Sequence, residues 1–65
     1  MNQQEILRKD LKRLKWEQGT PFLLVAQETG INQHTLYNFV SGRRANLGYK
    51  KAQALYNYLQ GALYE

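Results

Sequence analysis

Residues 22–41 read FLLVAQETGINQHTLYNFVS, and this stretch decides the fold. It divides at Gly30. Just ahead of it, Thr20-Pro21 is a helix start signal, with Thr as N-cap and Pro at the first helical position, where its missing N–H costs nothing. A helix is therefore expected over 21–29. Phe22, Val25 and Ala26, or Leu24, Val25 and Glu28, lie on neighbouring faces of it, so most of this helix is expected to be buried. Gly30 stops it. Asn32 is then placed to accept from the amide of His34 or Thr35 as an N-cap, and a further helix is expected over 33–40, ended by Gly42. Leu36, Phe39 and Val40 face inward at i, i+3, i+4, which leaves Gln33, His34, Tyr37, Asn38 and Ser41 turned outward.

On the N-terminal side, residues 3–18 contain neither Gly nor Pro, and Leu7, Leu11 and Leu14 recur at i, i+4, i+7. That is amphipathic helix spacing. Ile6 widens the stripe, Arg8, Lys9, Lys12, Arg13 and Lys15 cover most of the rest, and Gly19 ends the segment. On the C-terminal side, residues 43–48 form a loop that is basic at its start. A last helix is expected over 49–60, with Ala52, Leu55, Tyr56 and Leu59 as its apolar stripe. Residues 61–65 are compatible with its continuation or with a short tail. Trp16, Tyr49 and Tyr56 fall on or beside apolar stripes and are expected in the core. Tyr58, Leu63 and Tyr64 either cap that core or form a small self-association patch. The expected architecture is all-α, a compact bundle of four or five short helices.

The chain has 65 residues, enough for one small domain with a thin core. A large catalytic cleft is not expected. With no cysteine there is no disulfide framework and no thiolate zinc site, and a reducing compartment is the simpler setting. The longest apolar run, residues 22–26, falls far short of the roughly 20 residues a membrane span needs. The first residues are polar and acidic where a signal peptide would begin basic. A cytoplasmic location is expected.

Nine Lys and Arg oppose five Asp and Glu, and their distribution says more than their sum. Residues 1–28 are nearly neutral. Residues 29–64 carry Arg43, Arg44, Lys50 and Lys51 and no acid, which points to a polyanionic partner. Lys50 and Lys51 stand in the first turn of a helix, where the dipole disfavours cations unless an anion lies nearby. Lys12, Arg13 and Lys15 are read as a solvated face of the first helix.

Catalytic chemistry has little to draw on. Glu5, Asp10, Glu17, Glu28 and Glu65 are scattered, so no carboxylate pair is set by local spacing for acid and base work. Ser41 and His34 lie two helical turns apart, too far for a nucleophile and its base. One His without Cys supplies no metal site. Neither an enzyme nor a cofactor nor a small-molecule ligand is expected.

Two helices joined by a short turn that contains Gly30, the second with a polar outer face, form a helix-turn-helix. Residues 22–41 resemble the twenty-residue pattern of the lambda-repressor-like (XRE, or Cro/C1-type) regulators, with Ala26 at the close helix contact, Gly30 in the turn, and Val25, Ile31, Leu36 and Phe39 at its apolar positions. Residues 41–49, SGRRANLGY, followed by Ala52 to Leu59, are similar to that family's continuation, so the resemblance spans 3–60. It implies that Gln33, His34, Tyr37 and Asn38 read base edges in the major groove. It implies further that Arg43, Arg44, Asn46, Lys50 and Lys51, with Asn32, Thr35 and Ser41 as lesser contributors, hold phosphates. His34 is equally compatible with plain solvent exposure. Three positions depart from the pattern: Phe22 stands where the family commonly has a phosphate-bracing Gln, and Lys15 and Val40 occupy the places of a basic and acidic pair.

The expectation that follows is a sequence-specific binder of double-stranded DNA, a small repressor of phage or mobile-element type that acts by operator occlusion, with a homodimer possible. Two other classes compete with it. One is a protein-interaction module, an antitoxin or inhibitor that uses the same scaffold; the other is the DNA-binding part of a larger recombinase.

Overall fold

The computed structural model describes residues 3–64, and four α-helices account for most of them: α1 Gln3–Glu17, α2 Phe22–Thr29, α3 Gln33–Ser41 and α4 Tyr49–Leu63. No strand occurs among the described residues. Leu7, Leu11 and Leu14 of α1 are essentially solvent-free, as the i, i+4, i+7 spacing requires. They meet Val25 of α2, Leu36 and Phe39 of α3, and Leu55 and Leu59 of α4 in one core, closed by Ile31 from the turn and Leu47 from the loop. The globule measures about 25 × 24 × 20 Å.

The caps explain the boundaries. Gly30 and Gly42 both take left-handed backbone, φ 76° and 89°, and their amides close back on the carbonyls of Ala26 and Phe39. A side chain is disfavoured in that region, so glycine is what allows α2 and α3 to stop where they do. Asn32 caps α3 as expected, its Oδ1 accepting from the His34 amide at 2.7 Å. The start of α2 differs from the expectation by one residue. Pro21 itself is the N-cap, with ψ 150°, and Thr20 is not. The Thr20 amide is instead drawn back to the Leu14 carbonyl, 3.1 Å, across the turn at Gly19.

The last helix runs three residues past its expected end. Gly61 lies inside it, although glycine in a helix interior costs about 1 kcal/mol relative to alanine. The tertiary fold offsets that cost. Ala62 and Leu63 pack against the core, and the Tyr64 hydroxyl donates to both carboxylate oxygens of the buried Asp10, at 3.0 and 3.1 Å. Tyr64 thus ties the end of α4 to α1, while Tyr58 is half-buried on the core.

Several aromatic and aliphatic side chains expected inside lie outside. Trp16, Tyr49 and Tyr56 are 66%, 83% and 39% exposed. Trp16 stands two residues beyond Leu14, about 200° around the helix, so a core that Leu14 faces is one that Trp16 must leave. Leu23 and Leu24 are exposed as well, because the apolar residues of α2 that enter the core are Phe22, Val25 and Ala26. Ile6 likewise stays outside the stripe it was expected to widen.

Candidate nucleic-acid interface

The outer face of α3 is polar and uncharged and adjoins the basic loop. Gln33, His34 and Tyr37 are exposed on it, and Asn32 stands at its head. Because Asn32 spends Oδ1 on the cap, only its amide nitrogen remains to meet an outside acceptor. Thr35 is half-buried.

Asn38 does not present the amide that reading an adenine requires. Its Oδ1 is enclosed and has no hydrogen-bond partner among the described residues. A bidentate grip on a base needs both ends of the amide at the surface, and exchanging the two ends would enclose the donor instead. Its backbone carbonyl is fully used, accepting from the Arg44 amide at 3.0 Å and from the Ser41 hydroxyl at 3.1 Å. Ser41 therefore has its proton committed, and a phosphate, which only accepts, would have to compete for it.

Past Gly42 the chain turns through residues 43–48. Arg43, Arg44, Asn46, Lys50 and Lys51 are all exposed. Arg44 is partly folded back, with Nε donating to the Asn46 carbonyl at 3.0 Å, whereas Arg43 makes no hydrogen bond or ion pair among the described residues. Lys50 and Lys51 occupy the first turn of α4, whose N-cap Gly48 offers no side chain. The first amides of α4 are thus left for solvent or an anion.

What shapes this loop was not visible in the sequence reading. Arg8 of α1 donates through Nε to the Phe39 carbonyl at 2.8 Å, and through a terminal nitrogen to the carbonyls of Ala45 at 2.8 Å and Arg44 at 3.3 Å. Its guanidinium also lies 4.6 Å from the centre of the Phe39 ring. Alongside it, Gln4 accepts the Leu47 amide on Oε1 at 2.9 Å. The signal was present but indirect. No basic residue stands in the last turn of α3, and α1 supplies a cation to its carbonyl end from 31 residues away.

On the α1 side of α3, Lys12 is exposed, as expected of a solvated face, and lines an open recess of about 490 Å³ together with Trp16, Tyr37, Val40 and Ser41. At the other end of α3, Phe22 lines a recess of about 450 Å³ with Asn32, Gln33, His34 and Tyr37. Phe22 is nearly buried, which accounts for an aromatic rather than an amide at the start of α2.

Three ionisable groups stand away from their ordinary values, all outside this face. The Tyr64 phenol is raised by its hydrogen bond to Asp10, burial raises Tyr58, and Arg13 is raised by its exposed pairing with Glu17 at 3.2 Å. No cluster of three or more metal-ligating side chains occurs, and no helix is long and apolar enough to cross a membrane, among the described residues. Comparison with protein-family models, curated proteins and solved structures found no match to this chain.

Proposed function

We propose that this protein binds duplex DNA in a sequence-specific manner and regulates transcription from the cytoplasm, as a small phage- or mobile-element-type repressor that occludes its operator. One observation carries the reading. A nine-residue helix, set off by the left-handed turn at Gly30, exposes Gln33, His34 and Tyr37 and runs directly into a braced loop and helix start bearing Arg43, Arg44, Lys50 and Lys51. Uncharged donors and acceptors suit base edges, and cations suit the flanking phosphates. The resemblance of residues 3–60 to lambda-repressor-like regulators supports the same division of labour.

In this reading Gln33, His34 and Tyr37 read bases, and Asn38 supports the helix rather than reading. Arg43, Arg44, Asn46, Lys50 and Lys51 hold the backbone together with the uncapped amides of α4. The anion that makes a cationic first turn acceptable is then the DNA. A homodimer would place two α3 helices about one helical turn, roughly 34 Å, apart on the duplex.

The test is selection of bound duplexes from a random pool, with affinity for the winner and for a scrambled duplex compared at two salt concentrations. A consensus preferred by at least ~10³-fold is expected, and its symmetry reports the dimer. Binding without any consensus, and lost at physiological salt, would show the basic half to be only an electrostatic surface.

A further inference from the structure

Trp16 is the chain's single tryptophan and is 66% exposed, yet it is not loose. Its ring meets Phe22 edge-to-face, with centroids 6.5 Å apart at 84°, and the Lys15 ammonium lies 5.3 Å from the centre of the same Phe22 ring. Phe22 holds Trp16 at the mouth of the recess shared with Tyr37, Val40, Ser41 and Lys12. Among the described residues no acid lines that recess. The indole N–H makes no hydrogen bond among the described residues, and neither does the Lys12 ammonium.

An apolar wall carrying a free N–H donor, a free ammonium and no carboxylate has the chemistry of a surface for sugar and phosphate. It adjoins Tyr37, at the centre of the α3 outer face. We infer that the recess between the end of α1 and α3 takes the sugar–phosphate backbone of the bound duplex, with Trp16 packed against deoxyribose and Lys12, flanked by Lys15, pairing phosphate. This rests on the DNA-binding reading above. It extends the interface from α3 to the end of α1. It also gives a role to the aromatic pair that stands where an amide was expected at position 22.

Because only one tryptophan is present, the test is direct. The unmodified protein is titrated with a labelled duplex, the label's anisotropy reporting binding and the indole emission reporting Trp16, with acrylamide as a neutral quencher. The expected result is that emission changes and acrylamide protection appear at the same duplex concentration as the anisotropy change. Trp16→Ala weakens the preferred and the scrambled duplex by equal factors, Trp16→Phe recovers part of the loss, and Lys12→Ala lowers the salt slope by about one. Should Trp16→Ala fail to fold, the emission of the unmodified protein and the Lys12→Ala slope still decide. Rising anisotropy with unchanged emission, unchanged quenching and an unchanged Lys12→Ala slope overturns this inference and leaves DNA binding standing. No anisotropy change with any duplex overturns both, and an emission change with an acidic polypeptide in its place assigns the recess to a protein partner.

Discussion

The two ends of α3 are built in opposite ways. Its N-terminal end is local: Asn32 caps the amide two residues on, and Gly30 turns the chain just before it. Its C-terminal end and the loop beyond depend on α1, through Arg8 on three carbonyls and Gln4 on the Leu47 amide, across 31 to 43 residues of sequence. A helix face needs only its side chains pointed outward, which a capped helix guarantees. A loop has no repeating backbone bonds to hold its shape, so here its carbonyls are gathered from inside by a forked cation.

Substitutions that strike one end and spare the other test this contrast. The largest effect is expected at the joint between them, where the Phe39 ring is fully buried and its carbonyl receives Arg8. Phe39→Ala should cost about 3–5 kcal/mol and leave little folded protein, as read by urea unfolding. Arg8→Met comes next, at about 2–3 kcal/mol for the loss of charge-assisted bonds. Amide exchange should accelerate across residues 42–47 far more than across residues 33–37. Arg8→Lys should not rescue it, since an ammonium cannot span several carbonyls as a planar fork does. Equal acceleration at both ends of α3 would break the contrast.

Asn32→Ala reverses the pattern at a smaller cost, about 1 kcal/mol, and its exchange signature should be confined to the first turn of α3. Asn32→Asp, which keeps the capping oxygen, should be nearly neutral in thermal unfolding. The smallest effect lies at a tie remote from both ends. The Tyr64 phenol is held above its ordinary value by donating to Asp10, so its contribution is fully present below the ordinary tyrosine range, about pH 10. That contribution should fade as pH rises through the raised value. Amide exchange, corrected for its intrinsic pH dependence, should then report loosening of residues 61–64, with no selective change at either end of α3; Tyr64→Phe should abolish the pH effect.

Legibility in the sequence follows the same division. The leucine stripe of α1, the Asn32 cap and the glycine stops at 30 and 42 were readable because each rests on interactions within about one helical turn. The side on which each aromatic falls was not. Trp16 lies two residues past Leu14, and Tyr56 was counted in the stripe of α4 beside Leu55, yet one or two positions on a helix are a rotation of 100° or more, enough to carry a ring from core to solvent. Asn38 shows the converse: periodicity turns it outward, while packing leaves it half-buried with its Oδ1 enclosed. Arg8 and Lys12 were counted among the charges of α1, and nothing within α1 distinguishes them from Lys9 or Arg13.

The sequence by itself determined that the chain is all-α, where three of its helices begin and end to within a residue, and that Leu7, Leu11 and Leu14 share the buried face of α1. Those outcomes rest on backbone conformation, capping and period, all short-range properties of the chain. Tertiary structure alone decided that Arg8 braces the loop after α3, that Lys12 and Trp16 border the outer face of α3, and that α4 continues through Gly61 to reach α1. Each of these depends on which surfaces of distant helices come together, and α1 can choose its neighbours only once the shared core has closed.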